Sequence, residues 1–252
     1  MISNLKSVRF NTMNPRTNDS LFNGRLRISQ SRNGYRFSID AVLLAAQAGL
    51  YDAERILDLG TGCGVIPLVM AYRNPRATYF GIEIQKSLAD IALMNVRANG
   101  MDDCITIVCD DLCAVKCSRF SGPVDMVVSN PPYRKVASGR VNPCSERAIA
   151  RHEIKATLGD VVRSASRMLP ISGRFVTIYP ACRITDLLST MRSFGVEPKQ
   201  MQLIHSTTGS EAKLVLVDGL KGGGPGLIVR PPLVIYSDDG GYTDAVQQMF
   251  YP

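Results

Sequence analysis

The residues best suited to chemistry form the tetrapeptide Asn130-Pro131-Pro132-Tyr133, which follows an apolar run ending at Ser129. The Asn130 side-chain oxygen and the Pro131 carbonyl can each accept one N–H bond from a planar amino group. Two such acceptors would stabilise the positive charge that develops as the nitrogen attacks a methyl group. The prolines hold the carbonyl in place because their φ is already fixed, and the Tyr133 ring can stack on a planar substrate. The tetrapeptide predicts methylation of a nucleobase amine or a primary amide, although Asn-Pro-Pro can also be an ordinary turn.

A glycine-rich segment, Asp58-Leu59-Gly60-Thr61-Gly62-Cys63-Gly64, lies about 70 residues before this tetrapeptide. It also follows an apolar run, so it is expected at a strand end, where glycines allow a tight turn. A dinucleotide-binding fingerprint that starts at Gly60 needs a third glycine at position 65, but this chain has Val65 there. The acid that precedes the glycines instead suits a ligand with an ammonium group and no pyrophosphate. This description fits the methionine end of S-adenosylmethionine.

Two further acids follow the next two predicted strands. Thr78 to Ile82 reads as a strand that ends at Glu83, whose carboxylate could accept from both ribose hydroxyls. Cys104 to Cys109 reads as a third strand, followed by Asp110-Asp111, and we expect Asp111 to accept from the adenine amine of the cofactor. Glu83 alone could be a solvated surface residue. Three acids at three consecutive strand ends, each matching a different part of one cofactor, are a much more specific pattern.

The elements that must position these residues alternate along the chain. Strands are predicted near residues 55, 78, 105, 125 and 174, with helices at about 65–73, 86–99, 155–168 and 183–193. This alternation predicts a parallel sheet with right-handed crossovers, in which ligands bind at the carboxyl ends of the strands. Residues 197–219 read as two strands without an intervening helix, which predicts an antiparallel hairpin at the end of the fold.

The regions outside this alternation contain turn signals. Leu26 to Ser29 and Tyr35 to Ile39 flank Asn33-Gly34, which predicts a β-hairpin. Ser38 is then a plausible N-cap for an apolar helix that continues through Leu50.

Near the other end of the chain, residues 222–226 lack the Gly-Lys-Ser/Thr ending of a phosphate-binding loop, so we expect a flexible connection. The strand that follows, Leu227 to Tyr236, contains Pro231-Pro232. These prolines should break it or confine it to a sheet edge.

Composition favours one α/β domain over residues 1–252, with residues 1–50 preceding the cofactor-binding core. No apolar run approaches the roughly 18 residues of a membrane span, and no signal-peptide pattern opens the chain. Seven cysteines without a C-x-x-C pair favour reduced thiols. With only two histidines, a structural metal site is not expected. The sequence therefore predicts a cytoplasmic enzyme without membrane or metal, while its oligomeric state stays open.

The charge of the chain bears on its partner, because the formal net charge is +7 and the pI about 9.1. Basic residues flank the two motifs, although a charge excess can also be only a solvated face. Arginines at the mouth of the site could hold phosphates without reading sequence, which favours a polynucleotide substrate. The cations expected to do so are Arg134, Lys135, Arg140, Arg147 and Arg151, with Arg25, Arg27, Arg32, Arg36 and Lys155 nearby.

Taken together, these residues resemble the class I, Rossmann-like methyltransferases and, within them, the tRNA1(Val) (adenine37-N6)-methyltransferase family. The resemblance covers nearly the whole chain. It is carried by residues 35–44, the Asp-x-Gly-x-Gly-x-Gly and Asn-Pro-Pro-Tyr motifs, residues 150–153, residues 213–226 and residues 236–243. It implies a doubly wound, seven-stranded, mostly parallel sheet with a C-terminal antiparallel hairpin, S-adenosylmethionine as cofactor, and transfer to adenine N6 in tRNA. One departure is the cysteine-rich stretch from Cys104 to Cys117, which concerns local packing only.

The resemblance also assigns site residues. The cofactor site would comprise Asp58, Gly60, Gly62, Gly64, Glu83, Ile84, Asp111, Leu112 and Asn130. Catalysis would fall to Asn130, Pro131 and Tyr133, while Pro132, Tyr133 and the five cations named above would contact the substrate.

Two other functions remain open at this point. The first is methylation of a protein glutamine amide, because the related release-factor methyltransferases also use Asn-Pro-Pro-Tyr. Against it, only about 50 residues precede the cofactor strand here, so we do not expect the N-terminal helical substrate domain of those enzymes. The second is a non-catalytic RNA-binding protein that retains a cofactor fold. The presence of Asn130 and Tyr133 argues against this function.

Overall fold

The computed structural model describes residues 16–32, 37–131 and 156–250. The strands are β1 (Arg16–Leu21), β2 (Leu26–Ser31), β3 (Arg55–Leu59), β4 (Thr78–Glu83), β5 (Ile105–Cys109), β6 (Met126–Ser129), β7 (Arg174–Pro180), β8 (Val196–His205), β9 (Ala212–Lys221), β10 (Ile228–Val229) and β11 (Leu233–Val234). The α-helices are α1 (Ile39–Ala48), α2 (Val65–Arg73), α3 (Lys86–Ala98), α4 (Leu158–Met168), α5 (Ile184–Ser193) and α6 (Asp244–Phe250). Short 3₁₀ turns cover Cys117–Phe120 and Ala181–Arg183. The predicted alternation of strands and helices is confirmed.

The main sheet has the strand order β10-β8-β9-β7-β6-β3-β4-β5, with β11 also paired to β8. Neighbours from β7 to β5 are parallel, whereas β9 is antiparallel to both β7 and β8. The seven longer strands match the predicted seven-stranded, doubly wound sheet with its antiparallel hairpin. In the described ranges, β10 and β11 extend this sheet at its β8 side.

The directions of the strands show which edge of the sheet carries the functional residues. Because β9 is antiparallel to β7 and to β8, β8 runs in the same direction as β7. The carboxyl ends of β3, β4, β5, β6, β7 and β8 therefore all lie along one edge of the sheet, which we call the carboxyl edge. In open α/β sheets this is the edge at which ligands bind.

Helices cover both faces of the sheet and bury two hydrophobic clusters. On one face, α1, α2 and α3 contribute Val42, Leu68 and Ile91 to a cluster that also includes the β1–β2 hairpin. On the other face, α4 and α5 contribute Val161 and Leu187. The central strands contact both clusters, so their residues are buried on both sides, as expected for a parallel sheet.

The N-terminal hairpin differs from the prediction. β2 pairs with β1 across a turn at Phe22–Arg25, and Ile39, the last residue of the second predicted strand, begins α1. The predicted turn at Asn33-Gly34 lies outside the described residues. The Phe22 backbone adopts a left-handed φ of 53°, which is unusual for a bulky side chain. Its ring is buried and stacks on Tyr72 with 4.6 Å between centroids, and this long-range contact stabilises the turn.

The predicted helix cap is correct in position only. Ser38 is the N-cap residue of α1 with extended backbone angles, but its side chain makes no capping hydrogen bond. The helix ends at Ala48, two residues before the expected Leu50.

The C-terminal segment matches the prediction for Pro231-Pro232. The expected strand from Leu227 to Tyr236 is broken into β10 and β11, which pair with successive parts of β8 on either side of the prolines. After β11, the chain turns at residues 237–241 and forms α6, which packs against α1.

In the parts of the chain that the structure describes, no helix has the length and apolar character needed to cross a membrane. The six cysteines in these parts are all free thiols.

Candidate active site

The glycine-rich segment forms a loop between β3 and α2 at the carboxyl edge. Gly60, Gly62 and Gly64 have φ values of 78°, 58° and 82°, a region in which residues with a Cβ are strained. The amides of Gly60 and Thr61 donate to the Ile82 carbonyl at 3.0 and 2.9 Å, so the loop folds across the end of β4. The glycines therefore allow the backbone to pass close to whatever binds at this edge.

Asp58 lies beneath this loop and is almost completely buried, with 1% of its surface exposed. Neither of its carboxylate oxygens has a hydrogen-bond partner among the described residues. Burial raises the pKa of Asp58 to about 7, and the nearby Glu83 carboxylate adds to this, while the Thr61 side chain opposes it. The Thr61 hydroxyl is buried as well and has no hydrogen-bond partner in the described ranges. A buried acid without a partner is costly, so Asp58 is suited to a cationic ligand.

Glu83 lies at the end of β4 and connects the loop to the next turn. Its Oε2 accepts from the Gly62 amide at 3.0 Å, and its Oε1 accepts from the Gln85 amide at 2.9 Å. Burial raises the pKa of Glu83, although backbone donors including Gln85 and Gly62 oppose the shift. The carboxylate is therefore held in a fixed orientation beside the glycine loop.

The turn after β5 is continuous with Glu83, because the Asp110 amide donates to the Glu83 carbonyl at 3.1 Å. Asp111 is partly buried, and its Oδ1 accepts from the Cys113 amide at 2.8 Å. The Ser164 hydroxyl, on α4, donates to the Leu112 carbonyl at 2.8 Å. Next to this turn the apolar Ile84 side chain is 42% exposed. These residues form one continuous rim along the ends of β4 and β5.

Asn130 and Pro131 follow β6, which pairs directly with β3, so they are next to the glycine loop. The preceding residue, Ser129, is fully buried and donates from its hydroxyl to the Leu59 carbonyl at 2.8 Å. The Thr177 hydroxyl of β7 donates to the Ser129 carbonyl at 2.9 Å. Hydrogen bonds thus tie the ends of β3, β6 and β7 together immediately before Asn130.

The remaining predicted substrate residues are not placed by the structure. Pro132, Tyr133, Arg134, Lys135, Arg140, Arg147 and Arg151 lie outside the described residues.

Three positioning residues escaped the sequence analysis, of which Asn95 is the most connected. It is 1% exposed, and its amide nitrogen donates to the carbonyls of Cys63 and Ser29, each at 2.9 Å. Its oxygen accepts from the Ser29 amide at 2.8 Å. Asn95 therefore joins the glycine loop to β2. A polar residue on the otherwise apolar buried face of α3 was the available signal, as were Ser129 and Thr177 in buried strands.

The structure thus brings the predicted acids and Asn130 to the ends of four adjacent strands, in the order β6, β3, β4, β5. Buried carboxylates at the glycine loop lie next to an amide that follows the neighbouring strand. In the described ranges, no group of three or more histidine, cysteine or acidic side chains could hold a metal ion. The donor set is suited to an organic cation with hydroxyl and amine groups, and it fits S-adenosylmethionine.

The fold has counterparts among solved structures. A predicted O-methyltransferase from Agrobacterium tumefaciens superposes with a TM-score of 0.67 over 83% of this chain and 94% of that one, at 22% identity. The sheet order and the ligand-binding edge define a class I methyltransferase, an enzyme that uses S-adenosylmethionine as its cofactor.

Sequence comparison narrows this class. The profile of the family described as "Methyltransferase small domain" matches residues 39–179. A protein from Porphyromonas gingivalis named tRNA1(Val) (adenine(37)-N6)-methyltransferase is 33% identical over 76% of this chain and 77% of its own length. A protein of the same name from Aeromonas hydrophila is 26% identical over 90% of this chain and 94% of its own. The chain therefore belongs to the methyltransferase small domain family and, within it, to the tRNA1(Val) (adenine37-N6)-methyltransferase family.

Proposed function

We propose that this enzyme transfers a methyl group from S-adenosylmethionine to the N6 amine of an adenine in tRNA, at adenosine 37 of a valine tRNA. The relatives reported above have names that specify this reaction. Such a substrate is also consistent with the cytoplasmic location expected from the cysteine usage. The strongest single observation in support is the buried, unpartnered Asp58 carboxylate one strand away from Asn130.

We assign the cofactor contacts from chemical complementarity. Asp58 would balance the ammonium of the methionine moiety behind the turn formed by Gly60, Gly62 and Gly64. The Glu83 carboxylate would accept from the ribose hydroxyls. The Asp111 side chain would accept from the adenine amine, because only one of its oxygens is needed for the Cys113 amide. The apolar Ile84 and Leu112 would pack against the adenine ring, which accounts for an exposed isoleucine beside this turn.

The chain's own catalytic contribution would be made at the end of β6. S-adenosylmethionine supplies an electrophilic methyl group on a sulfonium. The Asn130 oxygen and the Pro131 carbonyl would each accept one N–H of the target amine and stabilise its developing charge. The N6 lone pair forms the new N–C bond as the C–S bond breaks, and the methylated nitrogen then loses a proton to solvent. Tyr133 would hold the base by stacking, with Pro132 limiting the freedom of the turn.

Substrate docking would use the cations that follow Tyr133, namely Arg134, Lys135, Arg140, Arg147 and Arg151. These side chains could contact phosphates and position the tRNA without reading its sequence. The target adenine would be unstacked from its neighbours to reach the site, as is usual for enzymes that modify bases.

Nucleoside mass spectrometry tests the proposal in one experiment. Bulk tRNA from cells that lack this enzyme would be incubated with the protein and S-adenosylmethionine, with heat-denatured protein as control. We expect N6-methyladenosine to appear in the digested tRNA and to map to position 37 of a valine species. Methylation of release-factor protein without any tRNA product would instead support glutamine as the substrate.

A further inference from the structure

Three aromatic rings form a stack near the C-terminus that the reaction described above does not use. Tyr236 and Tyr242 stack with ring centroids 5.5 Å apart, and Tyr242 and Phe250 stack at 5.3 Å with an angle of only 7° between planes. Tyr242 is the middle ring, so Tyr236 is an outer one. Tyr236 and Tyr242 are each 38% exposed. We call these three residues the aromatic ladder.

The loop that carries the ladder is internally hydrogen-bonded. Tyr236 and Tyr242 form an isolated antiparallel bridge across residues 237–241. The Ser237 amide donates to the Gly241 carbonyl at 2.9 Å, and the Gly241 amide donates to Asp239 Oδ1 at 2.9 Å. A ring held in this way loses little conformational entropy when it binds a partner. The ladder is therefore a preorganised surface.

The ladder lies along the carboxyl edge, where the substrate must also bind. The amides of Ile235 and Tyr236 donate to the carbonyls of His205 and Ser206, each at 2.9 Å, so the ladder begins at the end of β8. Tyr236 continues from β11, which pairs on the outer side of β8 and is therefore four strand spacings from β6, about 19 Å at 4.8 Å per strand. The glycine loop and the acids lie on the other side of β6. A chain that extends from Asn130 away from the cofactor would pass the ladder.

The charge around the ladder indicates which part of a nucleic acid could approach it. Asp238, Asp239 and Asp244 are exposed within or next to the loop. Hydrogen bonds from the Ser237 hydroxyl and the Gly241 amide lower the pKa of Asp239, so this acid is ionised at neutral pH. These carboxylates repel phosphates but can accept from base amino groups. The chain as a whole has a net charge of +7, which attracts RNA to the molecule.

We propose that the outer Tyr236 ring binds an unpaired base of the RNA substrate by stacking, a few nucleotides away from the base held at Asn130. Aromatic side chains commonly bind unpaired bases in this way and tolerate any base sequence. The inference rests on the proposed function, because it takes the substrate to be RNA. It adds a second contact on the substrate, remote from the chemistry.

Fluorescence tests the stacking directly, without turnover. The chain contains no tryptophan, so Tyr236→Trp introduces a single one at the end of the ladder. We expect octa-adenylate RNA to quench this fluorescence, and an abasic ribose-phosphate strand of the same length to leave it unchanged. Equal quenching by both strands, or none by either, would overturn the proposal.

Kinetics test whether the contact matters for the substrate. We expect Tyr236→Ala to raise the KM for tRNA about 5- to 150-fold, as for the loss of one base stack, with kcat and the KM for S-adenosylmethionine unchanged. Tyr236→Phe should behave like the wild type, because it retains the ring. The matched control is Tyr72→Ala, which removes a ring from the Phe22–Tyr72 stack on the cofactor half of the fold. A wild-type KM for tRNA in Tyr236→Ala would overturn the proposal.

Two further outcomes separate the competing explanations. Sedimentation that shows concentration-dependent dimers, lost in Tyr236→Ala, would overturn the proposal and assign the ladder to a contact between copies of this chain. If the wild type methylates no tRNA, the proposed function fails, yet base-specific quenching in Tyr236→Trp would still support an RNA-binding ladder. The two failures are therefore distinguishable.

Discussion

At the scale of single residues, the ionisation of Asp58 makes both the stability of the protein and its affinity for the cofactor depend on pH. Its pKa of about 7 in the folded chain lies above the ordinary value of 3.8, mainly because of burial. Between these values the folded state holds a proton that the unfolded state has released. This group therefore lowers the stability of the cofactor-free protein as pH rises from about 4 to about 7.

The same shift predicts how cofactor binding depends on pH. An ammonium ligand needs the ionised form of Asp58, so we expect affinity for S-adenosylmethionine to fall by up to about tenfold per pH unit below about 7. Burial raises the pKa of Glu83 as well, and protonation of this carboxylate would also weaken cofactor binding. Calorimetric titration of the wild type and of Asp58→Asn checks this. The variant should bind weakly with a flatter pH dependence, whereas Asp90→Asn, an exposed acid on α3, should match the wild type.

A second residue-scale prediction separates ground-state binding from catalysis. Glu83→Ala should weaken cofactor binding by about 10- to 100-fold, because a hydrogen bond to a charged group is worth about 1.5–3 kcal/mol. Asn130→Ala should leave cofactor binding nearly intact but lose about 10²–10³-fold in kcat, because the Asn130 oxygen acts mainly on charge that grows in the transition state. Titration and single-turnover rates measure the two effects. Equal losses of cofactor affinity in both variants would show that this division of roles is wrong.

At the scale of elements, α3 supports both the N-terminal hairpin and the cofactor loop. Asn95→Ala should lower the free energy of unfolding by about 2 kcal/mol and raise the KM for S-adenosylmethionine, because it removes the partners of Ser29 and Cys63 together. Asn99, one turn later, also bonds to β2, at Arg27, and its side-chain hydrogen bonds within the described residues go to Arg27 and Asn95, not to the glycine loop. Asn99→Ala is therefore the matched control. Asn99→Ala should reduce stability modestly and leave the KM for S-adenosylmethionine unchanged. If Asn99→Ala raised this KM as much as Asn95→Ala, the result would show that Asn95 does not position the cofactor loop.

The comparison of sequence and structure is clearest at this scale. The crossover units were predictable because apolar periodicity and turn residues act locally, and α2 begins and ends where expected, at Val65–Arg73. The partner of β2 was not predictable. Asn33-Gly34 is a strong local turn signal, but the far edge of β2 is bonded to Asn95 and Asn99, so a strand cannot pair there. The Phe22 turn likewise depends on Tyr72, which is 50 residues away in the chain.

The candidate site shows the same difference between features that local sequence patterns predict and features that depend on distant contacts. The acids and Asn130 could be located from the sequence because each lies at or within two residues of the end of a strand, and the carboxyl ends of parallel strands share an edge. Their supports left only a weak signal, a polar residue at a buried position. The partners of Ser129, Thr177 and Asn95 could not be predicted, because they are backbone carbonyls of distant segments. A carbonyl acceptor leaves no trace in the residue type that supplies it.

At the scale of the whole molecule, the excess positive charge should make tRNA binding depend on salt. If Arg134 and Lys135 each contact a phosphate, the double alanine variant should reduce the slope of log K against log salt by about two. Affinity for S-adenosylmethionine should not change, because these residues follow the substrate strand. Filter binding of tRNA across a salt series measures both slopes. Identical slopes for the wild type and the variant would show that these two cations do not contact phosphates and only form part of the solvated surface.

The proline break between β10 and β11 has a consequence for the protein in a crowded cell. The outer side of β8 carries two strands of only two residues each, and Ile228 and Val229 are more than 60% exposed there. A continuous apolar strand at this position would offer unpaired amides and carbonyls to another polypeptide and could seed fibrous aggregates. Pro231 and Pro232 lack amide donors and interrupt the series of hydrogen bonds between this segment and β8. They thus protect the outer border of the sheet while leaving its carboxyl edge open.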